Sequence, residues 1–222
     1  MPKGKGPTLT ERRAEELRLN IARTACDIFI ADGDTTATVE RICAEVGIAT
    51  RTFYRHFPVK EDVLGPLFGR SETNMRDLLS CAAADSDPVD VLVDMFTVEV
   101  RHRRSAGAQH RQSVDKARKL MSLVAETPQY RLRWMEWSEN LADAITEFLA
   151  GHFDLSDDVF TRSLPSRLIV HVSSNAYIWW TDAKEPHELD ELIAAHRSGI
   201  AMVLAGLHRS DGKAVSPVPG SS

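Results

Sequence analysis

Apolar residues recur along the chain at three- and four-residue steps, and the two-residue alternation of a half-buried strand is nearly absent. Leu17, Ile21, Ala25 and Ile28 form one stripe with Phe29 beside it, which predicts a first helix over roughly residues 10 to 32, ended by Gly33. Thr38 is placed to cap a short helix ending near Val46, and Gly47 makes the turn into a second short one over about 50 to 56. A longer helix is expected from about Lys60 to Ala83, with a kink or break near Gly65, because Pro66 lies beyond its first turn. Asp87-Pro88, Thr127-Pro128 and Glu185-Pro186 mark further starts, since a proline in the first turn lacks only an N–H that has no partner there. Those segments are expected to reach about 103, 152 and 208. The stretch "VDVLVDMFTVEV" alternates well enough for a strand, yet its proline start and helical surroundings favour helix. The fold class is therefore all-α, with a three-helix unit over 10–57 and a larger helical domain over 58–208. Residues 1–9 are expected to be a flexible arm, and 209–222, rich in Ser, Pro and Gly, a disordered tail.

A chain of 222 residues that is 43% hydrophobic can bury a real core. Its longest apolar stretches fall short of the roughly 18 to 20 residues a membrane span needs, and "MPKGKGPTLTERR" lacks an apolar leader core, so no membrane partner and a cytoplasmic location are expected. Cys26, Cys43 and Cys81 share no metal-ligand spacing and read as buried small hydrophobes. The net charge of −5 argues against a nucleic-acid binder until its distribution is considered. Residues 1–60 carry 10 Lys and Arg against 8 Asp and Glu, whereas the remainder carries 17 against 24. A polyanion contact, if present, belongs to the N-terminal quarter.

Two short helices joined by a glycine turn form a helix-turn-helix, whose second helix fits the DNA major groove. On that helix Phe53 and Phe57 are four apart and face inward with Val46 and Ile48, leaving Thr50, Arg51, Thr52, Tyr54, Arg55 and His56 to project outward. Hydroxyl and guanidinium groups suit phosphate oxygens and base edges; the same residues would also suit a solvated polar face. Lys60 follows in the next helix's first turn, where free N–H groups also favour a phosphate. Residues 38–64, "TVERICAEVGIATRTFYRHFPVKEDVL", resemble the DNA-binding signature of TetR-type transcriptional repressors. Thr38, Ile42, Gly47, Ile48, Thr52, Phe53, Tyr54, His56, Phe57, Lys60 and Glu61 fit that pattern, while Cys43, Val46, Ala49 and Val59 depart from it. Ala49 replaces a capping serine, a loss of about 1 kcal/mol.

The resemblance covers about residues 10 to 64. It implies base contacts from Thr50, Arg51, Thr52, Tyr54 and Arg55, and phosphate contacts from Thr38, His56 and Lys60, with overlap between the classes. It further implies a homodimer on a two-fold, palindromic operator, a ligand-binding and dimerisation role for the second domain, and a repressor released by a small apolar or amphipathic effector. A helix-turn-helix protein without small-molecule control is the alternative. The basic arm "PKGKG" with Arg12 and Arg13 either reaches the DNA backbone or frays.

In the second domain, "LIVHVSSNAYIWW" is apolar on almost every face, as for a helix covered by its own core and by a partner. Ala195, Gly199, Met202 and Gly206 line one stripe that would let a partner helix approach closely. Met95, Phe96, Met121, Trp134, Trp137 and Trp179 suit an apolar ligand cavity or an ordinary core, and Glu99, His102 and Asn175 could orient a ligand's polar end. No HExxH, GxSxG or Gly-rich phosphate loop occurs and the histidines are scattered, so neither an enzyme, a metal centre nor a cofactor is expected.

Overall fold

The computed structural model describes residues 8–101, 107–182 and 187–209, with the backbone alone at 101 and 107–113. The helices are α1 (Leu9–Asp32), α2 (Val39–Val46), α3 (Thr50–His56), α4 (Gly65–Cys81), α5 (Pro88–Arg101), α6 (Gly107–Glu126), α7 (Pro128–Glu139), α8 (Leu141–Ala150), α9 (Val159–Trp180) and α10 (Leu189–Leu204). Among the described residues there is no strand, and an isolated antiparallel bridge joins Phe153 to Arg209. The stretch that could pass for a strand is helix α5. Thr8 and Leu9, assigned from sequence to the arm, belong to the helix: Thr8 caps α1 in a reciprocal pair with Glu11. The remaining arm and tail residues, and Pro186, lie outside the described residues.

The first three helices follow their punctuation. Gly33 and Gly47 take φ of 75° and 79°, the left-handed conformation glycine adopts without strain, and each returns its N–H to the helix it ends. Thr38 Oγ1 accepts from the N–H of Arg41 at 3.2 Å, while Ala49 leaves α3 without a side-chain cap. Ile21, Phe29, Ile42, Phe53 and Phe57 are fully buried in one cluster. That cluster does not stop at the expected boundary near residue 57. It continues through Val63 and Leu64 into Val124, Tyr130 and Trp134 of α6 and α7. A second cluster, with Leu92, Met95, Ile145, Leu149, Ile169 and Ile200 fully buried, joins α5, α8, α9 and α10.

Three expectations are corrected. The helix expected from Lys60 is divided near Gly65, as expected, into a 3₁₀ turn at Lys60–Leu64 and α4, but the expected cause is not the one found. Pro66 therefore sits in α4's first turn and breaks nothing there; the change of helix type precedes it. The segment 128–152 is divided at Asn140, whose carbonyl accepts a hydrogen bond from Arg76 of α4. Cys26 and Cys43 are buried but Cys81, at the end of α4, is exposed; burial pushes the Cys26 thiol up to about 11.

Candidate nucleic-acid interface and second-domain surfaces

Helix α3 rests on Phe53 and turns its polar side chains outward because a seven-residue helix with one buried anchor has most of its circumference free. Arg51, Tyr54 and Arg55 are exposed, Tyr54 to 52%, while Thr50, Thr52 and His56 are half-buried and Thr38 is exposed at the start of α2. No acidic side chain occurs on α3. Its end is pinned by Arg18 of α1, which donates to the His56 carbonyl at 3.2 Å and lies over the Phe57 ring at 5.2 Å. A rigid scaffold thus presents a short cationic and hydroxyl-bearing face.

Lys60 is placed differently from its expected outward pose. Its ammonium donates to the carbonyls of Thr35 at 2.8 Å and Ala37 at 3.2 Å, bracing the loop that leads into the Thr38 cap. Thr35 is buried and its hydroxyl also meets Thr127, so this loop is tied to both sides of the junction. The sequence carries no hint of that, because backbone carbonyl acceptors are not visible in a side-chain pattern.

Of the nine ligand candidates, the eight within the described residues are not gathered into one cavity. Met95 and Phe96 are buried in the second cluster; Trp134, buried, and Met121, half-buried, pack into the first. Glu99 is half-buried and accepts from Asn74 Nδ2 at 2.7 Å. His102 lies outside the described residues. Trp137 lines a cleft between α1, α4 and α7, its ring tilted against Phe68 with ring centroids 4.7 Å apart. Asn175 and Trp179 sit on the outer face of α9, where Trp179 stacks on His187 at 3.6 Å. Helical spacing alone cannot separate these places, since the faces of α5, α7 and α9 meet different neighbours.

Ala195 and Met202 border the same outer groove as Asn175 and Trp179, and Met202 is 73% exposed. Gly206 is exposed as well. Gly199 is corrected: a β-carbon there would stand 2.5 Å from Cγ1 of Val172, so its missing side chain lets α10 close on α9 of the same chain. The surface extends through Leu168 and Ile178 of α9, inside the stretch expected from sequence to meet a partner, and through Leu132 and Met135 of α7, which were not singled out from sequence; all four are exposed. The i, i+3 spacing of Leu132 and Met135 was the available signal.

Among the described residues no group of side chains is placed to hold a metal ion, and no helix is long and apolar enough to cross a membrane.

Residues 21–65 match the family described as bacterial regulatory proteins, tetR family. The HTH-type transcriptional regulator TcmR of Streptomyces glaucescens is 30% identical over 162 residues, which is 71% of this chain and 70% of that protein. The fold is shared with a SmeT–triclosan complex (TM-score 0.57, 17% identity, 93% of this chain and 98% of that one). It is shared too with Thermus thermophilus FadR in complex with lauroyl-CoA (TM-score 0.57, 20% identity, 92% and 100%). With a relative of that identity and coverage, the chain belongs to the TetR family of DNA-binding transcriptional regulators, which are not enzymes.

Proposed function

We propose that the chain is a cytoplasmic, homodimeric repressor that leaves a palindromic operator when a small apolar or amphipathic molecule binds to it. Base contacts come from Thr50, Arg51, Thr52, Tyr54 and Arg55 of α3, and phosphate contacts from Thr38 and His56. Lys60 acts chiefly through the loop it braces. The exposed apolar face of α9 and α10, centred on Trp179, Ala195 and Met202, is the dimer surface. A two-fold dimer with recognition helices about 34–36 Å apart, or a multiple of it, matches a two-fold operator.

The observation that carries ligand control is the continuous core across the two units. Phe57 and Leu64 share one cluster with Tyr130 and Trp134, and Arg133 of α7 holds Asp62 of the 3₁₀ turn at 3.0 Å. Displacement of α4 and α7 therefore carries α1 and α3 with it, and a ligand that favours one arrangement over the other shifts DNA affinity. The relatives solved with triclosan and with lauroyl-CoA support the same reading. Burial of Met95 and Phe96 in packed core favours the alternative of DNA binding without small-molecule control. An operator selected from random DNA decides: anisotropy titrations across aromatic, acyl and cationic compounds should find one class that weakens binding at least tenfold, and none doing so would leave the alternative standing.

A further inference from the structure

A cleft of about 760 Å³ opens between the DNA-binding unit and the second domain. Its volume lies within the roughly 300–1,000 Å³ usual for small-molecule sites. Gly65, Gly69 and Thr73, spaced four apart along α4, run along it, with Arg18 of α1 to one side and Trp137 of α7 to the other. A β-carbon on Gly69 would meet nothing within 4 Å, so the cleft is open at that point. The half-buried Trp137 ring, backed by Phe68, offers a flat apolar surface.

The charges of the cleft are unevenly satisfied. Arg133 is matched by Asp62 and Glu136, each at 3.0 Å. Arg18 has one nitrogen on the His56 carbonyl, but its Nε is buried with no hydrogen-bond partner and its nearest carboxylate, on Glu15, is 3.7 Å away. Arg70 is exposed on the cleft and has no ion pair or hydrogen bond among the described residues. Two guanidinium groups with unused donors beside an aromatic face suit a flat apolar body bearing one carboxylate, because a guanidinium fork binds carboxylate in charge-assisted pairs.

We infer that this cleft binds an amphipathic anion, a planar aromatic carboxylate, with its ring against Trp137 and its carboxylate on Arg70 and Arg18. Because the walls belong to α1 on one side and α7 on the other, occupancy sets the spacing between the two units. That regulatory consequence rests on the ligand-control reading above; the binding itself does not.

Calorimetric titration of the full chain with 2-naphthoate tests the site. The parent should bind it at least tenfold more tightly than neutral 2-naphthalenemethanol. Gly69→Trp, which fills the open point, and Arg70→Glu, which reverses the unpaired charge on an exposed side chain, should each weaken naphthoate binding at least tenfold. Their circular dichroism and melting profiles are recorded in parallel. No naphthoate binding by the parent at millimolar concentration, or affinities of both variants within twofold of the parent, overturns the inference. A compound that releases the selected operator equally from parent and Gly69→Trp would keep ligand control but overturn the cleft as its site. Naphthoate binding sensitive to both variants with no change in operator affinity would uphold the cleft while removing its regulatory role.

Discussion

A β-carbon placed on Gly65 would stand 2.8 Å from Cζ2 of Trp137. The first residue of α4 and a ring from α7 thus meet at a contact that a β-carbon could enter only by displacing the ring, at the point where the 3₁₀ turn gives way to helix. Gly65→Ala should cost about 1–3 kcal/mol through overpacking, against a helix-propensity gain of up to about 1 kcal/mol. In a Trp137→Leu background the same substitution should be neutral or stabilising. A thermal-denaturation double-mutant cycle measures the coupling, and additive effects would show that ring and backbone do not touch.

Lys60→Ala should lower stability by about 1–3 kcal/mol, because two carbonyls lose a charged donor. Arg55→Ala, on an exposed side chain, should leave the urea midpoint unchanged while costing about 1–3 kcal/mol of operator binding and relaxing base preference at one position per half-site. An unchanged midpoint for the Lys60 variant would return that ammonium to the phosphates.

Gly199 and Met202 should separate packing within the chain from assembly. Gly199→Leu clashes with Val172 and should destabilise the fold, with Val172→Ala restoring part of the loss. Met202→Glu, at a position 73% exposed, should retain helical circular dichroism and yield monomers by light scattering. A Met202→Glu dimer would move the interface away from α10.

Much of the DNA-binding unit was legible in the sequence, since its boundaries are written in local chemistry: Thr38 as cap, Gly47 as left-handed turn, Phe53 and Phe57 as anchors. The second domain was less so. Helix α6 has no proline at its start to mark it, and the division between α7 and α8 falls at Asn140, whose carbonyl takes a long-range bond from Arg76 that no local signal encodes. Trp134 and Trp137 look alike in sequence, three apart on one helix, yet one fills the core and the other faces a cleft. Which neighbour a face meets is settled by the tertiary arrangement.

His196 is fully buried, with Nδ1 2.8 Å from the Leu192 carbonyl and Nε2 3.1 Å from Ser173 Oγ, beside the rings of Phe96 and Tyr177. Nδ1 therefore carries the proton and Nε2 accepts from Ser173. Burial holds its pKa below the usual value of 6.5, opposed by the bond to Leu192. A depressed folded pKa means that the unfolded chain takes up the proton first. The stabilisation is complete above pH 6.5 and is lost as pH falls below it toward the folded pKa. The melting temperature of the parent should drop more between pH 7.5 and 5 than that of His196→Gln. Parallel profiles would mean that His196 does not titrate differently on unfolding.

The central claim is that α3 reads the operator through its exposed face. Fluorescence anisotropy of Arg51→Ala/Tyr54→Ala on DNA selected from a random pool, at fixed salt, tests it most directly. With one good base contact worth about 1–3 kcal/mol, the double variant should bind on the order of 100-fold more weakly than the parent while keeping its helical circular dichroism. Binding within twofold of the parent by a fully folded double variant would contradict the account.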